Sequence, residues 1–176
     1  MEIFLIRHTR PLLKPGLIYG QSEVPLAASF PLERDAVLEQ LASAPDAVYS
    51  SPYSRCTRLA AAIDAGYHTV PALAELNFGD WEGQTWDTVD HLESETWMAD
   101  FVHLSPPGGE SLLQLQARVS GFWQWLLRQP RGRVAVVTHA GVIRVILARY
   151  RGIALQDIFS IPVQYAEVFR LEHNTQ

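Results

Sequence analysis

Apolar residues recur along this chain in two rhythms that alternate from one end to the other. Ile3, Phe4, Leu5 and Ile6 form an unbroken apolar run, the pattern of a strand buried on both faces. Residues 133–138, Arg-Val-Ala-Val-Val-Thr, repeat it, and residues 46–51 read as another strand. A short extended piece is expected at 69–71 and a last strand, by alternation, at 166–171. Between these runs the spacing turns helical. Val37, Leu38 and Leu41 mark a helix within 30–44. Leu59, Ala62 and Ile63 mark a second, with Ser54 as its expected N-cap and Gly66 as its stop. Leu112, Leu115, Val119, Phe122, Trp123 and Leu126 mark a third, running up to Pro130, and residues 142–150 a fourth that ends near Gly152. The polar, tryptophan-bearing stretch 85–101 also reads as helical. Pro106-Pro107-Gly108-Gly109 breaks the chain, and residues 9–25, punctuated by Pro11, Pro15, Gly16, Gly20 and Pro25, predict a long loop of the kind that carries function. Strand and helix thus alternate throughout. The expectation is an α/β fold, a three-layer sandwich with a mostly parallel sheet and helices on both faces, in a single domain spanning 1–176.

Composition narrows the partners. Hydrophobic residues make up 48% and charged residues 19% of 176, an ordinary globular balance. The net charge of -5 gives no general attraction to nucleic acid or to an anionic membrane, so any affinity for anions must be local. Lys14 is the only lysine, and the remaining cations are arginines, whose planar fork suits bidentate contact with phosphate or carboxylate. Cys56 stands alone, which excludes an internal disulfide and fits a reducing compartment. The four apolar residues between Glu2 and Arg7 are too few for a signal-peptide core or a membrane span. A cytoplasmic enzyme, monomer or homodimer, acting on a small molecule is expected. The six histidines are scattered, with no His-Glu-x-x-His pattern and no Cys/His cluster, so neither metal nor cofactor is expected. No Gly-rich Lys-Ser/Thr loop signals a nucleoside triphosphate.

The chemistry gathers where strands end. Arg7-His8-Thr9 follows the first apolar run, and His139-Ala140-Gly141 follows the run at 133–138. Open α/β sheets bind ligands just beyond the carboxyl ends of their strands, so the two histidines are expected to converge on one crevice. Taken singly, either could equally be a hydrogen-bonded structural histidine. Arg55 falls in the first turn of a helix, where free backbone N–H groups and the helix dipole favour an anion.

Five segments in order carry a family resemblance: Arg7-His8-Thr9; Ser50-Ser51-Pro52 with Ser54-Arg55; Glu75 in Glu-Leu-Asn-Phe-Gly-Asp-Trp-Glu-Gly; Pro107-Gly108-Gly109-Glu110-Ser111; and His139-Ala140-Gly141-Val142-Ile143-Arg144. Together they span nearly the whole chain and resemble the histidine phosphatase superfamily, with its phosphoglycerate mutase-like fold. Within it, the short length and Leu17-Ile18-Tyr19-Gly20-Gln21-Ser22-Glu23-Val24-Pro25-Leu26 look most like the α-ribazole phosphatases, which remove the 5′-phosphate from α-ribazole phosphate in assembly of the lower ligand of cobalamin.

That resemblance implies a phosphohistidine route with His8 as nucleophile and Glu75 as general acid. Arg7 and Arg55 would hold the phosphate and, by disfavouring the imidazolium, keep His8 neutral. His139, if protonated, would donate to a phosphoryl oxygen. Thr9, Tyr19, Gly20, Gln21 and Ala140 would face the substrate, with Gln21 giving an amide to phosphate or ribose. Glu82 ranks after Glu75 as the acid and fits a structural glutamate better, while Glu110 is expected to cap the following helix. Arg10, Arg58 and Arg144 are secondary sources of charge. Trp81, Trp86 and Trp97 could form either core or a stacking wall for an aromatic base. Thr9 replaces the glycine common after the nucleophile, which bears on loop geometry more than on chemistry. A short lid-like insertion at about 77–107 would leave water access to a phosphohistidine, favouring hydrolysis over transfer. The alternatives are a broad sugar-phosphate phosphatase, a phosphoglycerate mutase-like enzyme and a non-catalytic phospho-ligand module. Loss of His8 or Glu75 would mark the last of these, and both are present.

Overall fold

The computed structural model describes residues 1–173. Five strands, β1 (Glu2–Arg7), β2 (Ala47–Ser50), β3 (His68–Thr69), β4 (Arg133–Thr138) and β5 (Val168–Glu172), form one sheet in the order β3-β2-β4-β1-β5. β1, β2, β3 and β4 run parallel, and β5 closes the edge antiparallel to β1. The helices are α1 (Phe30–Leu41), α2 (Ser54–Ile63), α3 (His91–Ala99), α4 (Leu112–Leu126) and α5 (Ala140–Arg151). The fold is therefore the three-layer, mostly parallel α/β sandwich that the strand-helix alternation predicts.

Alternate residues of each central strand feed two separate cores, as a period of two requires. Ile3, Leu5, Tyr49, Val134 and Val136 pack with Leu115, Val119 and Leu126 of α4 and with Ile143 and Leu147 of α5. Phe4, Ile6, Val48, Ala135 and Val137 pack on the other face with Val37 and Leu41 of α1 and Leu59 of α2. Burial on both faces explains why β1 and β4 read as continuous apolar runs.

The register sets the site. Arg7 of β1 lies opposite Thr138 of β4, so the next residue of each strand, His8 and His139, emerges at the same edge of the sheet. Ser51, the residue after β2, sits beside them, its N–H donating to Val137 O at 2.9 Å.

Several local expectations change. Ser54 is the first residue of α2, and Tyr53, in extended conformation, is its N-cap. Ser54 instead gives its backbone N–H and its hydroxyl to the Glu23 carboxylate, so that side chain already fills the anion-favouring helix terminus. The helix expected over 85–101 shrinks to α3, because Thr88 turns back on Thr85 through its hydroxyl and Asp90 caps the helix by accepting from Glu93 N at 3.0 Å. Ser111, not Glu110, caps α4, in a reciprocal capping box with Gln114. The last strand starts at Val168 because Ala166 adopts a left-handed φ of 57°. No helix among the described residues is long and apolar enough to cross a membrane.

Candidate active site

At the carboxyl end of the sheet the two imidazoles stand edge to face with ring centroids 5.1 Å apart. Both are buried. His8 Nδ1 lies 2.7 Å from the carbonyl oxygen of Thr9. A carbonyl can only accept, so Nδ1 carries the proton and the lone pair belongs to Nε2. Thr9 manages this without a positive φ, so the β-branched residue in place of glycine costs the loop nothing in backbone strain. Burial lowers the His8 pKa to about 3; the Thr9 carbonyl opposes that shift, and Arg55 and Arg7 add to it. The arginines thus reinforce the neutrality that desolvation mainly imposes, a reversal of the weighting expected from sequence.

His139 is shifted the same way. Burial, followed by His8 and Arg55, holds its pKa well below the ordinary histidine value, which favours the neutral ring. Arg55 Nε donates to His139 Nδ1 at 3.4 Å, which leaves the ring proton on Nε2, 2.7 Å from the Ser51 hydroxyl. Cys56 Sγ lies 3.5 Å from the same nitrogen, and burial pushes that thiol up and keeps it protonated.

Arg55 is fully buried. Its terminal nitrogens donate to Ser22 O at 2.7 Å and Gly20 O at 2.6 Å, and the guanidinium lies 5.1 Å from the Tyr19 ring and 4.9 Å from the Tyr53 ring. Arg7 donates to Val163 O at 2.7 Å and lies 3.7 Å above the Tyr165 ring, which in turn tilts against His8 at 5.6 Å. Among the described residues, Arg7 Nε and Thr9 Oγ1 are buried without any hydrogen-bond partner. Buried donors rarely stay unpaired, and here two of them flank His8 in the chain.

Glu75 reaches the same edge from the loop that follows β3. Its carboxylate accepts from Leu76 N at 2.9 Å and from Gly141 N at 3.2 Å, the latter in the first turn of α5. A Cβ at Gly141 would fall 2.3 Å from Glu75 Oε1, so a side chain there would displace the carboxylate from the α5 N-terminus. Arg118 on α4 fixes this loop. It donates to Ala72 O, Ala74 O and Glu75 O at 2.8, 2.7 and 2.9 Å and pairs with Glu110. Glu110, the expected cap, is therefore the counter-ion of Arg118, and it also accepts from Asn77 N.

The loop residues divide. Tyr19 joins the site, its hydroxyl 3.2 Å from that of Tyr165, and burial raises its pKa. Gly20 has a φ of 31°, and a side chain there would meet Glu82 and Leu76 O. Gln21 spends one amide hydrogen on Glu75 O, with Nε2 donating at 2.9 Å, and its Oε1 accepts from the Tyr53 hydroxyl at 3.4 Å. Glu82 ties the loop down by accepting from Gln21 N, Ser22 Oγ and Phe78 N, in keeping with a structural glutamate. Ala140 opens α5 directly after His139. Arg58 is exposed, and Arg10 is exposed beside Glu33 while lying 5.1 Å from the Tyr165 ring. Half-buried Arg144 donates to Ile161 O at 3.0 Å, and burial lowers its pKa. Trp81 and Trp97 are buried, whereas Trp86 is 42% exposed. Tyr165, Arg118 and Ser51 escaped sequence reasoning as site residues. Ser51 carried a signal, lying directly after a strand, but Tyr165 and Arg118 act on partners 157 and 43 positions away in sequence.

A profile described as histidine phosphatase superfamily (branch 1) matches residues 3–176. A metal-independent phosphoserine phosphatase of Arabidopsis thaliana is 34% identical over 161 residues, 84% of this chain and 68% of that protein. An adenosylcobalamin/α-ribazole phosphatase of Salmonella typhimurium is 28% identical over 159 residues, 85% of this chain and 79% of its own length. The crystal structure of the α-ribazole phosphatase from Shigella flexneri superposes with a TM-score of 0.89 at 26% identity, covering 99% of this chain and 91% of that one.

Proposed function

The chain belongs to the histidine phosphatase superfamily (branch 1) and is a phosphatase; from that premise we propose that it hydrolyses a small phosphomonoester through a phosphohistidine on Nε2 of His8. The observation that carries this reading is the tautomer set by Thr9 O, which leaves a neutral nucleophilic nitrogen beside two unpaired buried donors. Phosphoryl transfer asks mainly for positioning and for positive charge around the equatorial oxygens. Arg7 and Arg55 supply the charge. In the first transfer Nε2 attacks phosphorus, the bond to the alcohol oxygen breaks, and protonated Glu75 delivers its proton to that oxygen. In the second, water attacks phosphorus, the P–N bond breaks back to His8, and the Glu75 carboxylate takes the proton from water. His139 offers its Nε2–H, shared here with Ser51, to a phosphoryl oxygen.

For the substrate, the α-ribazole 5′-phosphate of cobalamin lower-ligand assembly is the first reading, supported by the Salmonella relative and by the superposition on the Shigella enzyme. O-phosphoserine is the second, favoured by the higher identity to the Arabidopsis enzyme. Specificity constants for the two esters separate them. A preference of tenfold or more for α-ribazole 5′-phosphate is expected, and the reverse preference would move the assignment to phosphoserine. Activity should be unchanged in EDTA; loss of turnover on chelation would reject the metal-free mechanism.

A further inference from the structure

Arg7 and Arg55 are the cations that hold the phosphate in the proposed chemistry, and among the described residues neither pairs with a carboxylate. Arg55 is fully buried, and so is the Nε of Arg7. Like charges removed from water without a counter-ion need something else to hold them. Two loops do so. The loop after β1, residues 9–25, gives Arg55 the carbonyls of Gly20 and Ser22 at 2.6 and 2.7 Å and the ring of Tyr19 at 5.1 Å. The loop before β5, residues 161–167, gives Arg7 the carbonyl of Val163 at 2.7 Å and the ring of Tyr165 at 3.7 Å. Each arginine thus rests in a cradle of carbonyl and aromatic face. A ring face attracts a guanidinium through its plane and leaves the N–H groups within that plane free to donate. The unpartnered Nε of Arg7 is one such donor.

The two cradles are joined. Tyr19 and Tyr165, 146 positions apart in sequence, meet hydroxyl to hydroxyl at 3.2 Å. Both side chains are half-buried, and Tyr165 also tilts against the His8 ring at 5.6 Å. The loop that carries Tyr165 is tied to the end of β1, where Ala166 N donates to His8 O at 3.2 Å. Burial and then the Tyr165 hydroxyl raise the Tyr19 pKa, so the bridge keeps its protons throughout the neutral range.

We propose that Tyr19 and Tyr165 are positioning residues, a clasp whose hydroxyl bridge locks the Arg55 cradle to the Arg7 cradle and sets the gap between the two guanidiniums for a phosphate dianion. The proposal rests on the reading of these arginines as phosphate holders beside His8. Without the bridge each loop moves on its own, and ordering both against the anion weakens binding.

Calorimetric binding of inorganic phosphate to the full chain tests the clasp without turnover. Tyr19→Phe and Tyr165→Phe each keep the ring and break the bridge, and each should weaken binding about threefold to tenfold, the net worth of a neutral hydrogen bond. The double variant should bind no more weakly than the weaker single, because both changes remove the same bond. Tyr165→Leu should bind severalfold more weakly than Tyr165→Phe, since it also strips the aromatic face from Arg7. Unchanged affinity in either Phe variant, or losses that multiply in the double variant, would overturn the clasp even where the melting temperature falls. A Leu variant that binds as well as the Phe variant would overturn the stacked cradle. Wild-type protein that binds no phosphate would overturn the clasp and the phosphatase reading together. Phosphate binding that follows the tyrosines in a protein that hydrolyses no phosphomonoester would uphold the clasp and reject His8 as the nucleophile.

Discussion

The floor of the site at the strand ends and the aromatic segment around α3 are built on opposite terms. On the floor, the donors and acceptors are polar, buried and held by backbone carbonyls: His8 by Thr9, Arg55 by Gly20 and Ser22, and Arg7 by Val163. Around α3 the side chains are large and apolar, and many stay in solvent, including Leu92 and Met98. The floor follows from the register of β1 against β4, which a parallel sheet buried on both faces does not allow to slip. The α3 segment hangs from a capped nine-residue helix that buries one side chain, Trp97. Chemistry thus resides where the fold is over-determined. The α3 segment is where the fold is least constrained and substitutions are cheapest.

The contrast breaks most decisively at His8. His8→Asn should lower kcat by roughly 10⁴-fold or more, since removing a nucleophile costs nearly the whole advantage of the covalent route; steady-state assays with either ester will show it. Glu75→Gln should lower kcat by about 10² to 10⁴-fold on alkyl phosphates. It should have far less effect on the first transfer from 4-nitrophenyl phosphate, read as the burst of 4-nitrophenolate, because that leaving group needs no proton. Equal losses in the first transfer on both esters would deny Glu75 the role of acid. Gly141→Ala is milder, because the new methyl pushes the Glu75 carboxylate off the α5 N-terminus. It should cost roughly tenfold to a hundredfold in kcat, the scale of a misplaced catalytic group, with the melting temperature little changed.

A pH effect of intermediate size separates the regions by stability. The folded chain holds the His8 pKa at about 3 against an ordinary 6.5, so below pH 6.5 the unfolded chain takes up a proton that the folded chain refuses. Stability should fall progressively as pH drops from 6.5 towards 3, by roughly 3 kcal/mol at pH 4 from His8 alone. Urea unfolding of wild type and His8→Asn at pH 7 and pH 4 should show the variant losing less by about that amount, and parallel losses would contradict the burial of a neutral His8. Smallest of all, Leu92→Ala on the exposed face of α3 should change stability by under about 0.5 kcal/mol.

What could be read in the sequence follows the same division. Runs such as Ile3–Ile6 announce both a buried strand and the edge where it delivers Arg7 and His8, because period and strand end are local properties. Glu75 and His139 were also legible, as members of ordered motifs. The partners that only tertiary packing brings in were not. Arg118 looks like any helical arginine until α4 lays it across three carbonyls of the Glu75 loop. Tyr165 sits in a loop whose path depends on the left-handed Ala166. Gln21 has the right residue type for a substrate contact, but that one of its amide hydrogens goes to the Glu75 carbonyl only the folded loop shows. The stretch 85–101 was the least legible, because Thr85, Thr88 and Asp90 use their own side chains to make turns and a cap where propensity alone would continue a helix.

Acid-free quenching of the enzyme after brief exposure to a ³²P-labelled phosphomonoester tests the central claim most directly, followed by digestion and identification of the labelled atom. Base-stable, acid-labile label on Nε2 of His8 is the predicted result. Label on Nδ1, which the Thr9 carbonyl should keep protonated, or label on His139 or on no histidine at all, would contradict the account.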